Sequence, residues 1–307
     1  MHLTNSSPII TARDRHLLRH AALAVCCAGL FAALAALVQT GWGPLSRFDR
    51  ELTGDLHRYA ADHTVWTASV QMFSDIGGTI TMRSVLGAVA LWLWLIGART
   101  LAGWVAAQTL IGWGGQWVLK LSFGRQRPAF SDPVAHASGP AFPSGHAMAS
   151  AITCAVLVGL LWPRARRAGR TTACTTAALT VLAIGVSRVF LGVHWTTDVL
   201  AGWLAAGIVL GAVTVIVELA RPGALARDFR RVDWRTRPRV QRVLVSSARP
   251  PRDTDPAEDP ADDDPADDFP DDLPDARSDD APADCSDTRP GGPAADPVPD
   301  RPDGLLR

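Results

Sequence analysis

The stretch VLAGWLAAGIVLGAVTVIVEL, from Val199 to Leu219, contains a single charged residue and is otherwise almost entirely apolar. A bilayer core about 30 Å thick is crossed by roughly 20 mostly apolar residues in a helix. A segment of this length and composition therefore predicts a membrane-spanning helix rather than a core helix of a soluble domain.

Five other apolar blocks precede this stretch. Together the six predict an all-α, polytopic membrane protein with six transmembrane helices that form one bundle, since a helix satisfies its own backbone hydrogen bonds in lipid. The first block follows several arginines, as a signal peptide would, but its cleavage signal is poor and five more spans follow. The predicted spans are Ala21–Thr40, Gly78–Gly97, Leu101–Leu119, His146–Trp162, Thr171–Val186 and Val199–Leu219.

The formal net charge of zero conceals a division along the chain. Residues 253–307 hold 19 of the 30 acidic groups and 4 of the 30 basic groups, which leaves 26 basic and 11 acidic groups in residues 1–252. The acidic segment is rich in Asp and Pro and has too little apolar surface to offset its ordering entropy, so we expect a disordered tail. A solvated tail is favoured over one that folds back on the basic stretch 227–252.

Charge also predicts the orientation, because cytoplasmic loops retain Lys and Arg. The arm 1–20, the basic turn after the fourth span and the basic segment 221–252 are expected in the cytoplasm, with both termini on that side of the cell membrane. The first, third and fifth connections of the membrane domain 21–220 then lie outside. The third and fifth nevertheless carry four cations, which favours an anionic ligand there. These are Lys120, Arg125, Arg127 and Arg188.

The first connection contains apolar residues at spacings of three and four, namely Leu45, Phe48, Leu52 and Leu56. This pattern predicts a short amphipathic helix lying at the membrane interface. Arg83, a few residues inside the second span, is expected to extend towards the lipid headgroups.

Three polar clusters occur at the ends of predicted spans. They are KLSFGRQRP (Lys120–Pro128), PSGH (Pro143–His146) and SRVFLGVHWTTD (Ser187–Asp198). The first two flank the third connection and the last contains the fifth. By the alternation of spans, all three are expected on the outer face of the membrane.

The first cluster contains Lys120, the only lysine among 30 basic residues. Lys120 and Arg127 are seven residues apart, which is about two helical turns if the third span continues outward. The two cations would then point the same way and could grip one phosphate. Contact with lipid headgroups explains such a pair about equally well.

The PSGH cluster is typical of a helix start, with Ser144 as N-cap. The N–H groups of Gly145 and His146 would then point outward at the positive end of the helix dipole, which favours an anion. Taken alone, an ordinary capping serine followed by a chance histidine explains this cluster better.

In the last cluster, His194 and Asp198 are four residues apart, so on a helix the carboxylate can hold one imidazole nitrogen. Arg188 is close enough in sequence to join the same pocket. An isolated HxxxD is usually structural or half of a metal site, but the neighbouring cations would repel a divalent ion. His57, His63 and His136 are interpreted as bystanders.

Together the clusters resemble the signature KxxxxxxRP, PSGH, SRxxxxxHxxxD of the type-2 phosphatidic acid phosphatase family, which is related to vanadium haloperoxidases. The resemblance covers about residues 20–220. It implies a metal-independent phosphatase that acts on a membrane lipid phosphate through a phosphohistidine, with no cofactor and no nucleic-acid partner. By the same resemblance His194 is the nucleophile, Asp198 orients it, and His146 is the acid and then the base. The phosphoryl oxygens would be held by Lys120, Arg127, Ser144, Gly145 and Arg188.

Two other kinds of protein would have a similar anion pocket. A haloperoxidase would be a soluble chain, which six apolar spans disfavour. A lipid-phosphate binding or transport protein would not need the set His146, His194 and Asp198. The sequence leaves four substrates open: phosphatidic acid, phosphatidylglycerol phosphate, diacylglycerol pyrophosphate and undecaprenyl pyrophosphate.

Overall fold

The computed structural model describes residues 11–232, and the regular structure within this range is entirely helical. The prediction of an all-α fold is therefore confirmed for the described residues. In chain order the helices are α1 (Ala12–Gln39), α2 (Gly43–Asp62), α3 (Thr64–Ile76), α4 (Thr79–Leu95), α5 (Arg99–Phe123), α6 (Gly145–Leu161), α7 (Arg167–Phe190), α8 (Thr196–Ala220) and α9 (Ala224–Arg231).

Each of the six predicted spans corresponds to one helix, in the order α1, α4, α5, α6, α7 and α8. Helix α6 is apolar but short, and α5 is long enough but less apolar, since it carries the buried Gln108 and Gln116. The number of six membrane spans therefore stays a prediction. Four helical stretches are long and apolar enough to cross a membrane, namely Arg13–Gln39, Thr64–Leu95, Arg167–Phe190 and Thr196–Ala220.

Large apolar side chains lie exposed on the outside of the bundle, for example Val65, Ile80 and Leu121. Water would make such a surface unfavourable, whereas hydrocarbon chains solvate it. This exposed apolar surface and the four candidate spans together indicate a multi-pass membrane protein.

Helices α5, α6 and α8 occupy the centre of the bundle. Helix α8 packs against α1, α5 and α6, and α6 also packs against α4 and α7. The contact between α1 and α8 depends on small residues, because a Cβ atom added at Gly211 would lie 2.5 Å from the His20 carbonyl oxygen and 2.9 Å from Ala24 Cβ. This close approach brings the backbones of the two helices together.

Helix α2 differs from the interface helix that the sequence predicted. It is longer, and its buried face carries Asp49, Thr53, His57 and Ala60, whereas Phe48 is exposed. The other residues of the apolar pattern, Leu45, Leu52 and Leu56, are half-buried, so α2 turns both polar and apolar residues towards the other helices.

Several sequence predictions lie outside the described residues. These are the first ten residues of the N-terminal arm, most of the basic segment (233–252) and the whole acidic tail (253–307).

We expect Gly211→Ala to destabilise the protein by about 1–3 kcal/mol, because the new methyl group overlaps the backbone of α1. The measurement is the thermal unfolding midpoint of the purified protein in detergent. Gly29→Ala is the matched control, since Gly29 also lies on a bundle helix but has open space where its Cβ would be. An unchanged midpoint for Gly211→Ala would contradict the close packing of α1 on α8.

Candidate active site

The structure brings the three polar clusters together at one end of the bundle. The Ser144 N–H, just before α6, donates to the Asp198 carbonyl oxygen on α8 at 2.9 Å. The Arg127 guanidinium, after α5, donates to the Val193 carbonyl oxygen between α7 and α8 at 2.6 Å. The ends of α5 and α7 therefore meet the beginnings of α6 and α8.

His194 is buried among these side chains and is 2% exposed. Its Nδ1 lies 3.4 Å from Asp198 Oδ2, and its Nε2 lies 3.0 Å from Arg127 Nη1. A guanidinium only donates, so the Arg127 contact assigns Nε2 as an acceptor and leaves the proton on Nδ1, facing the carboxylate. The Nε2 lone pair thus points to the cationic side of the site.

The way in which His194 meets Asp198 differs from the sequence prediction. The spacing of four suggested that both residues lie on one helix, but α8 begins only at Thr196. His194 lies in the preceding turn, and Asp198 reaches back to it from the first turn of the helix. The prediction of a shared helix was therefore wrong, although the two side chains are neighbours.

The protonation of His194 follows from its surroundings. Burial lowers the pKa of His194 to about 4, and the hydrogen bond to Asp198 opposes this shift only in part. The imidazole is therefore neutral at pH 7, which is the form that has a lone pair for nucleophilic attack.

Lys120 and Arg127 converge on a loop, not on a helix face. Helix α5 ends at Phe123, and Gly124 follows with a φ of 56°, so the predicted two helical turns do not exist. Instead Lys120 Nζ donates to the Pro140 carbonyl oxygen at 2.6 Å, and Arg127 Nη2 contacts the same oxygen at 3.5 Å. An entering phosphate would compete with this carbonyl for both cations.

At the start of α6 the sequence prediction of an N-cap holds in part. Ser144 occupies the N-cap position, but its hydroxyl makes no capping hydrogen bond. The Ser144 Oγ is buried and has no partner within residues 11–232, so it is available to a ligand. A Cβ atom at Gly145 would lie too close to the Gln116 amide nitrogen, so a larger residue there would require the Gln116 side chain to move.

His146 and Arg188 complete the site. The charges that act on His146 are those of Arg188, His194, Arg127 and Lys120, so the predicted residues share one electrostatic environment. Arg188 is buried and donates from Nη1 to Ser74 Oγ at 2.8 Å, while its Nε has no partner in the described part of the chain. The site therefore gathers three cations around two histidines.

Three further residues lie near the site. Arg83 does not extend towards headgroups, because its Nη2 donates to Gln116 Oε1 at 2.7 Å inside the bundle. His57, taken as a bystander, is buried and stacks on Phe130 with a centroid separation of 3.7 Å. Arg125 contacts Asp198 directly at 2.6 Å; its only sequence signal was its charge on the predicted outer side.

The donor set at the site does not favour a divalent metal. Within residues 11–232 no group of three His, Cys, Asp or Glu side chains is placed to hold one. Asp198 already accepts hydrogen bonds on both oxygens, and the cations around it would repel a metal ion.

Comparison with known proteins places these residues in a family. A family model described as the PAP2 superfamily matches residues 93–222. The Escherichia coli K12 protein YbjG, provisionally named an undecaprenyl-diphosphatase, is 33% identical over 154 residues, which cover 47% of this chain and 70% of YbjG. The chain belongs to the PAP2 superfamily. The resemblance to type-2 phosphatidic acid phosphatases seen in the sequence is thereby confirmed.

Other PAP2 proteins share parts of the chain. Phosphatidylglycerophosphatase B of Escherichia coli K12 is 40% identical over 83 residues, which are 26% of this chain and only 30% of that protein. A solved structure of a transmembrane PAP2-type phosphatidylglycerolphosphate phosphatase from Bacillus subtilis superposes with a TM-score of 0.53 at 22% identity. That comparison covers 65% of this chain and 98% of the other, and it shows a shared membrane fold.

We expect Lys120→Arg to lower kcat/KM at least about tenfold with folding unchanged, because a planar fork replaces a compact ammonium beside Arg127. The measurement is phosphate release from lipid vesicles at several substrate concentrations. Arg99→Lys, in an exposed turn at the start of α5, is the control and should have wild-type activity. Wild-type activity of Lys120→Arg would mean that the single lysine has no special role.

Proposed function

We propose that this protein is a metal-independent lipid phosphate phosphatase that acts through a phosphohistidine on His194. The observation that carries the proposal is the setting of His194. One ring nitrogen is held by the buried Asp198 carboxylate, and the other faces the Arg127 guanidinium at 3.0 Å. The neutral imidazole of His194, which we propose as the nucleophile, therefore lies beside the Arg127 guanidinium, a kind of group that binds phosphate.

In the first step, His194 Nε2 attacks phosphorus and the bond from phosphorus to the leaving oxygen breaks. His146 gives a proton to that oxygen, so the lipid leaves as an alcohol or as a lipid monophosphate. The phosphorylated imidazole carries positive charge, which the Asp198 carboxylate stabilises through Nδ1–H.

In the second step, water attacks the phosphohistidine. His146, now neutral, accepts a proton from the water, the bond between Nε2 and phosphorus breaks, and inorganic phosphate leaves. His194 returns to its neutral form. The same histidine thus acts first as an acid and then as a base, as microscopic reversibility requires.

The cations supply the electrostatic part of catalysis. Phosphoryl transfer spreads negative charge over three equatorial oxygens, so fixed donors around that position lower the barrier. Lys120, Arg127 and Arg188 supply positive charge, while the Ser144 hydroxyl and the Gly145 N–H supply donors at the beginning of α6.

The names of the relatives support a lipid substrate. One is named for a phosphatidylglycerophosphate and one for undecaprenyl diphosphate, and both substrates pair a phosphate with long hydrocarbon chains. We infer that the hydrocarbon part stays among the helices while the phosphate reaches His194 at the membrane surface. The charge asymmetry of the loops supports the extracytoplasmic face for this site, with both termini in the cytoplasm.

We expect the wild-type protein to release phosphate from at least one of four lipids in vesicles, and His194→Ala to release none. The panel is phosphatidic acid, phosphatidylglycerol phosphate, diacylglycerol pyrophosphate and undecaprenyl diphosphate. His146→Ala should accumulate phosphoenzyme, because the water loses its base. The phosphoenzyme is measured as protein-bound radiolabel that is labile in acid and stable in base.

Two outcomes would contradict this mechanism. Normal labelling of His194→Ala protein would show that another residue is the nucleophile. Tight binding of all four lipids without phosphate release by the wild-type protein would indicate a binding or transport protein instead.

We also expect activity to persist in excess EDTA and to be blocked by vanadate. Fixed cations already neutralise the phosphoryl charge, and vanadate adopts a trigonal-bipyramidal geometry at the same position. Phosphate release is measured before and after chelation. Loss of activity in EDTA that added magnesium restores would refute the metal-independent mechanism.

A further inference from the structure

Asp49 on α2 contacts the catalytic cluster although it lies outside the matched family region 93–222. It is 1% exposed. Its Oδ1 accepts the Thr197 N–H at 3.1 Å, and its Oδ2 accepts the Thr197 hydroxyl at 2.5 Å. The N-cap residue of α8, Trp195, makes no side-chain capping bond, so Asp49 caps the helix from another element.

Arg125 joins this cap to the catalytic carboxylate. Its Nη1 donates to Asp198 Oδ1 at 2.6 Å and to the Thr197 hydroxyl at 2.7 Å, and its Nη2 donates to Asp49 Oδ2 at 2.9 Å. The planar fork of a guanidinium is suited to hold two carboxylates in fixed positions. Because Asp198 Oδ1 is occupied in this way, Oδ2 is left for His194.

The charges in this network are unequal. Asp49 and Asp198 are both buried carboxylates. Apart from His194, which contacts Asp198, the only side chain within residues 11–232 that forms an ion pair with either carboxylate is Arg125. Sharing one guanidinium between two carboxylates leaves this network with net negative charge on the Nδ1 side of His194, while Arg127 lies at Nε2. A buried negative charge attracts the positive imidazole that forms when phosphorus is attacked.

We propose that Asp49 and Arg125 are positioning residues that hold the Asp198 carboxylate against His194 and keep it negative enough to stabilise the phosphohistidine. This inference rests on the proposed phosphatase function. It assigns to α2 a part in the chemistry that the type-2 phosphatase signature does not contain. Neither residue touches substrate; both act through Asp198.

A purely structural role for the network predicts a different result. If Asp49 only fastened α2 to the bundle, its loss would lower the unfolding midpoint and disturb substrate binding and turnover together. A positioning role predicts a lower kcat with little change in KM, since the phosphate-binding cations remain in place.

The test variant is Asp49→Asn, which keeps the shape of the side chain and removes its charge. It should lower kcat at least about tenfold and change KM by less than about threefold. Activity is measured in phosphatidylcholine vesicles that contain each of the four lipid phosphates. Thr53→Val is the matched control, because Thr53 lies one turn further along the same buried face of α2 and its hydroxyl has no partner in the described residues.

Substitutions of Thr197 that remove or keep its hydroxyl test the same network. Thr197→Val removes the hydroxyl between Asp49 and Arg125 but leaves their direct ion pair, so it should lower kcat less than Asp49→Asn does, whereas Thr197→Ser keeps that hydroxyl and should retain most of the rate. The double variant Asp49→Asn with Thr197→Val should be little worse than Asp49→Asn alone, because both changes affect one network.

A second measurement does not depend on turnover. The Nδ1 proton of His194, hydrogen-bonded to Asp198, is followed by NMR as the downfield imidazole resonance that is missing from His194→Gln. Asp49→Asn should shift this resonance, and Thr53→Val should leave it in place.

The outcomes distinguish the positioning role of Asp49 from the proposed phosphatase function. A lower kcat with unchanged KM and a shifted resonance supports the positioning role. Unchanged kcat in Asp49→Asn, or an equal loss in Thr53→Val, overturns it. If the wild-type protein hydrolyses none of the four lipids, the phosphatase proposal fails, and the resonance alone then decides whether Asp49 controls the His194–Asp198 contact.

Discussion

The buried carboxylate of Asp198 is the group on which the site depends. Its side chain accepts hydrogen bonds from Arg125 and from the Trp195 N–H and lies against His194, while its main-chain oxygen accepts the Ser144 N–H. One residue therefore links the beginnings of two helices with His194. A carboxylate is stable in such a place only because each oxygen is satisfied.

The cations are arranged so that each has its own protein partner before any ligand enters. Arg127 and Lys120 donate to carbonyl oxygens of the loop after α5, and Arg188 donates to Ser74 on α3. Three positive groups would repel one another in a medium of low dielectric constant without such partners. An anionic ligand would offset the remaining repulsion, so this arrangement of three cations supports the proposal of a phosphate site.

The sequence predicted much of the fold because apolar composition and length are local properties. All six expected spans correspond to helices, and the three polar clusters lie at one end of the bundle, as the alternation of spans required. The details within each cluster were less predictable. Arg127 lies in a loop because Gly124 adopts positive φ and α5 ends at Phe123, and His194 lies in a turn because α8 begins only at Thr196.

The sequence by itself determined the membrane-spanning class, the family and the residues that we propose for the site, because each depends on composition or on motifs within a few dozen residues. Only the tertiary structure decided that Arg125 and Asp49 join Asp198, that Arg83 pairs with Gln116, and that α2 buries polar residues. These contacts join residues 33 to 76 positions apart. No local pattern encodes them, since they follow from which helix faces the bundle brings together.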